Sequence, residues 1–184
     1  MWAVGAQKEP RVFSTDGEFP MSLTFSADAK ALMAGFLNSV KLWQLAGPGG
    51  AATFPGDFYG VDGLALLPDG QTLISAAGTD LCFWDVRTGR QTNKLNARSG
   101  LFSGLALSAD GRRLAAGTSD GRITIWDVAS HQQVAMLEGH QDSVTQLAFT
   151  PDGDHLVSVS KDQLRIWRAA LPAETDAAEK EAGK

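Results

Sequence analysis

Cysteine is nearly absent from this chain of 184 residues. Cys82 is the only one, so neither an intrachain disulfide nor a cysteine-based zinc site can be built. A lone thiol beside Phe83-Trp84 reads as buried filling, and the lack of a disulfide framework favours a reducing compartment, here expected to be the cytoplasm. Basic residues are sparse too: 16 Lys and Arg face 21 Asp and Glu, a formal net charge of −5, with no block of Lys or Arg outside Arg112-Arg113. Binding a phosphate backbone needs a concentrated positive face, so nucleic acid is not an expected partner. No apolar run approaches the roughly 18 to 20 residues that span a bilayer, and the first residues lack the basic-then-apolar order of a secretory leader, so no membrane role is expected. The three histidines, His131, His140 and His155, do not have the spacing of a metal pair. There is no nucleophile elbow and no phosphate-cradling glycine loop, and nothing calls for a cofactor or a metal.

What the chain does have is tryptophan at a fixed interval. Trp2, Trp43, Trp84, Trp126 and Trp167 are spaced 41, 41, 42 and 41 residues apart, which is a repeat signal. Within one repeat, Leu101 to Ser130, three apolar stretches are divided by turns at Ala109-Asp110-Gly111 and Ser119-Asp120-Gly121. Leu105 and Leu107 share one face of the first stretch. The second, Leu114 to Thr118, is rich in small residues, and the third alternates β-branched residues through Ile123-Thr124-Ile125-Trp126. Gln132 to Leu137 reads as a fourth strand, so each repeat is expected to be a small four-stranded antiparallel sheet. Pro68-Asp69-Gly70 and Pro151-Asp152-Gly153 repeat the first turn, while Ala27-Asp28-Ala29 is a worn copy without the glycine. Because these carboxylates recur at equivalent turns, their period argues for structure rather than catalysis. Each Trp is expected to wedge between successive sheets, with its ring N–H bonded to an acceptor.

On Phe83-Trp84-Asp85, Ile125-Trp126-Asp127 and the Gly139-His140 pair, together with the five tryptophans in register, the chain resembles the WD-repeat family over about Trp2 to Arg168. The resemblance implies an all-β fold, a β-propeller of four-stranded antiparallel blades with about four blades in this chain. It also implies a platform for binding proteins without catalysis. In the family a hydrogen-bonded chain joins the His of the Gly-His pair, a strand-two hydroxyl, a turn Asp and the strand-three Trp. Only the last repeat matches it, with His140, Ser158 or Ser160, Asp162 and Trp167; Arg98, Asp57 and Asp16 take the histidine's place elsewhere.

These registers put blades near 15–54, 56–96, 98–137 and 140–169 of a propeller over 1–169, with 170–184 a disordered acidic, Ala-rich tail. Trp2 enters the pattern mid-blade and Leu164 to Arg168 has no strand after it, so residues 1–14 are expected to supply an outer strand, Arg11 to Ser14 pairing with the last blade. Two arrangements are open: a closed small ring, or part of a larger propeller completed by more chain or by self-association. Phe19, Phe58, Tyr59, Leu101 and Lys161 are expected at one rim, where they would bind a peptide or protein partner. Phe58 and Tyr59 plugging the channel, and Leu101 and Phe102 serving as core, are the competing assignments. The alternative functions are a structural or regulatory C-terminal fragment of a larger WD-repeat protein and, less favoured, a propeller hydrolase.

Overall fold

A computed structural model describes residues 12–26, 28–46, 50–56, 60–97, 100–161 and 163–169, and all regular structure among them is β. The first sheet holds β1 (Ser22–Phe25), β2 (Ala31–Gly35), β3 (Ser39–Gln44) and β4 (Ala52–Pro55). The second holds β5 (Val61–Leu66), β6 (Thr72–Ala77), β7 (Asp80–Asp85) and β8 (Arg90–Asn96), and the third β9 (Phe102–Leu107), β10 (Arg113–Thr118), β11 (Ile123–Asp127) and β12 (Gln132–Leu137). The fourth holds β13 (Gln146–Phe149), β14 (His155–Val159) and β15 (Leu164–Arg168). Each sheet is an antiparallel meander in chain order, and the four are arranged as the blades of a propeller. The four-stranded expectation holds for three blades; the last has three strands among the described residues. Residues 12–14 form no strand, and Phe13 packs on Trp43 of the first blade. The rest of the proposed outer strand, residues 1–11 with Trp2 and Arg11, lies outside the described residues, as does the tail 170–184.

The first turn of each repeat is locked by its own side chains. Ser108 donates to Asp110, which accepts the Arg112 N–H, while the Ser108 hydroxyl accepts the Arg113 N–H. Ser26 with Asp28 and Thr150 with Asp152 repeat the arrangement, and Asp69 holds the Gln71 N–H. Gly70, Gly111 and Gly153 occupy positive φ there, and Ala29 in the worn copy is driven to φ 53, a conformation that disfavours a Cβ. The Asp of each Trp-Asp pair closes the next turn: Asp85 accepts from the N–H and hydroxyl of Thr88, and Asp127 does the same with Ser130.

Hydrophobic clusters fill the joints between consecutive blades. Met33, Leu42 and Phe54 of the first blade meet Leu64, Leu73 and Trp84 of the second. Ile74, Leu81 and Phe83 meet Phe102, Leu114 and Trp126, and Ile123 and Ala115 meet Val144, Leu156 and Trp167. Small residues in the second strands allow the close approach: a Cβ on Gly117 would lie 2.6 Å from the Val144 carbonyl oxygen. Trp43 departs from the expected wedge between sheets. It is buried against Phe13 and Phe36, 6.0 and 6.3 Å between ring centroids, with no blade among the described residues on that side.

Candidate functional site

The loops into the inner strands and the turns between second and third strands meet at one rim. Backbone hydrogen bonds stitch them from blade to blade: Gly60 and Val61 donate to the carbonyls of Leu37 and Phe36, Phe102 to that of Gly78, and Val144 to that of Thr118. The rim is therefore braced by groups that leave its side chains available. Phe19 is 88% exposed and Leu101 55%, whereas Phe102, the next residue, is fully buried. Leu101 thus belongs to the surface and Phe102 to the core. Lys161 is exposed at the turn before β15. Leu37, in the equivalent turn of the first blade, is also exposed, a rim position that sequence reading missed because Phe36-Leu37-Asn38 lacks the Ser-Asp-Gly pattern. Phe58 and Tyr59 lie outside the described residues.

Met21, Ser22, Asp62, Gly104, Thr145 and Gln146, from all four inner strands, line a central cavity of about 290 Å³. Burial raises the Asp62 carboxyl above the usual carboxylate range. At the opposite rim a cleft of about 590 Å³ between the second and third blades is lined by Thr72, Phe83, Arg112, Arg113, Asp127 and His131. There Arg113 pairs with Asp127, and the His131 ring lies 4.6 Å from that of Phe83 with Nδ1 on the Asn93 amide.

The structure brings His140, Ser158, Ser160 and Trp167 together. The Trp167 ring N–H donates to Ser158 Oγ at 2.8 Å, and His140 contacts Ser158 Oγ through Nε2 at 2.7 Å and Ser160 Oγ through Nδ1 at 2.8 Å. Either ring tautomer serves both hydroxyls, since each can donate or accept. Both serines are used where the sequence left a choice, and Asp162 lies outside the described residues. Trp84 bonds Ser75 Oγ at 2.9 Å, but Trp126 finds its acceptor on its own strand, Thr124 Oγ1 at 2.9 Å. In the first blade Asp16 takes another course: with Glu18 and the Thr15 carbonyl it holds Lys41 Nζ, a buried ammonium beside Trp43. Those hydrogen bonds, Glu18's first, raise the Lys41 pKa above its ordinary value.

Comparison with known proteins matches the WD domain, G-beta repeat at residues 89–127 and 131–168. These two segments are WD repeats. Each matched repeat begins on the outer strand of one blade, β8 or β12, and ends on the third strand of the next, so sequence unit and blade are offset by one strand. Over 89% of its length the chain is 30% identical to Protein groucho of Drosophila melanogaster, covering 24% of that protein. It is 30% identical to WD repeat-containing protein 18 of Mus musculus over 85% of its length, covering 36% of that protein. Pre-mRNA-processing factor 19 homolog 2 of Arabidopsis thaliana is 29% identical over 82% of the chain, which covers 28% of it. The chain thus spans roughly a quarter to a third of these relatives. Among the described residues no helix is long and apolar enough to cross a membrane.

Proposed function

We propose that this WD-repeat chain is a non-catalytic interaction module that binds a peptide or protein segment across the rim carrying Phe19, Leu37, Leu101 and Lys161. The carrying observation is Phe19, almost fully exposed on a loop tied down on either side, by the Glu18 N–H to the Thr15 carbonyl and by the Met21 N–H to the Gly35 carbonyl of β2. A large aromatic on a braced edge gives contact area at low entropic cost. The turn carboxylates support a non-catalytic reading, because they are spent on holding turns, and the family likeness points the same way.

Panning a random peptide library against the immobilised chain should enrich ligands whose affinity falls about tenfold or more on Phe19→Ala combined with Leu101→Ala, with the circular-dichroism melt unchanged. Arg112→Ala, on the opposite rim, should leave binding intact. Ligands insensitive to the rim pair, or a reproducible hydrolytic turnover lost on Asp62→Asn, would replace this reading.

A further inference from the structure

The three joints share one register. Strand-three residues Val40 and Leu42, Leu81 and Phe83, and Ile123 and Ile125 face the following blade, and there they join Leu64 and Leu66, Leu105 and Leu107, and Leu147 and Phe149 of its inner strand. The next members of these series are Leu164 and Ile166 on β15 and Leu23 and Phe25 on β1. Internal members are buried or half-buried, whereas these four are 64%, 65%, 62% and 57% exposed. Both halves of a fourth joint are present at opposite ends of the array, and they do not meet within the chain.

A second observation says what fits between them. Phe13, Phe54, Leu95 and Leu137 occupy one station of the repeat. Phe54, Leu95 and Leu137 are outer-strand residues that share a cluster with Trp84, Trp126 and Trp167 of the following blade. Phe13 packs on Trp43 in the same way. It therefore stands where the outer strand of a preceding blade would stand, with no other strand of such a blade beside it among the described residues. The last sheet has the converse composition, with three strands and no outer one among the described residues.

We infer that the face of β1 and Trp43 receives the last blade, β13–β15, of a second copy of this chain. Leu164 and Ile166 of one copy lie against Leu23 and Phe25 of the other, and the segment around Phe13 runs along the edge of β15 as its outer strand. Two such joints related by a twofold axis make a ring of eight blades, at the upper end of the about four to eight that propellers use. A third copy would exceed that range.

Sedimentation of the full chain at micromolar concentration should give twice the 19.5 kDa mass. Ile166→Asp and Leu23→Asp should each reduce it to the single mass with unchanged far-ultraviolet dichroism. Mixed, those two variants should recover partial association, because one retains an intact β1 face and the other an intact β15 face. In a chain carrying Phe25→Cys and Ile166→Cys, a bismaleimide spanning about 10 Å, the spacing of packed sheets, should link two copies; this milder pair also reports if either Asp variant fails to fold. A wild-type monomer, a dimer indifferent to both Asp variants, or linkage found only within one chain would overturn the proposal.

Discussion

At the residue scale, one indole hydrogen bond is satisfied from two different strands. Ser75 pairs with Cys82 across the β6–β7 ladder, and its hydroxyl accepts from Trp84. In the next blade Ala116 holds the serine's station and Thr124 the cysteine's, and the hydroxyl comes from Thr124 instead. The acceptor has crossed the ladder while staying at the same place in space. In the first blade the two stations hold Ala34 and Lys41, neither with a hydroxyl, and Trp43 is surrounded by aromatic rings. The same substitution should therefore have opposite effects at two sites. Ser75→Ala leaves a buried ring N–H without its acceptor and should cost about 1–3 kcal/mol. Ser39 Oγ is buried with no partner among the described residues, so Ser39→Ala should be neutral or raise stability by about 1 kcal/mol. Urea unfolding of the two variants checks the pair; equal losses would mean that the Trp84 bond contributes nothing.

Among the elements, the turns carry most of the acid sensitivity. Asp127 is held at about 2, chiefly by the N–H and hydroxyl of Ser130 and further by Arg113, against an ordinary 3.8. Asp28, Asp85, Asp110 and Asp152 are lowered by hydrogen bonds from the Ser or Thr and the backbone N–H groups of their own turns. A carboxyl whose folded pKa lies below its unfolded value favours folding above about pH 4, and that contribution is lost as pH falls through the folded value. The melting temperature should accordingly be flat from about pH 6 to 4.5 and decline toward about pH 2, with a shallower decline in Asp127→Asn. A melt that rose on acidification would contradict the turn geometry. These turns were legible in the sequence because Asp and Gly act over two or three neighbouring residues. The Lys41 anchor was not, since its partners Asp16 and Glu18 lie more than twenty residues away and come near only once β3 is in place. His131 was likewise placed beside a turn without its role: it takes the left-handed position that Gly89 holds one repeat earlier, which aims its ring at Phe83.

For the whole molecule, the five tryptophans and repeated turns sufficed to read an all-β array of blades, because each blade obeys the same local rules. They carried less about the ends, where the neighbour that defines a joint is missing and register alone cannot say what replaces it. Stability in such an array is close to a sum over units and joints, so units packed on both sides hold most firmly. Amide exchange should be slowest in β6, β7, β10 and β11 and faster in β13 to β15, measured by mass spectrometry at protein concentrations too low for association; uniform protection across all four sheets would refute this ordering. The offset between matched repeat and sheet bears on how such a chain lengthens. Duplicating residues 89–127 copies the last ribbon of one sheet with the first three of the next, so a new unit arrives as a dovetail with its fourth ribbon already lodged next door. Growth of this kind adds a seam and a slab together, and at no stage leaves a raw cut through the middle of either.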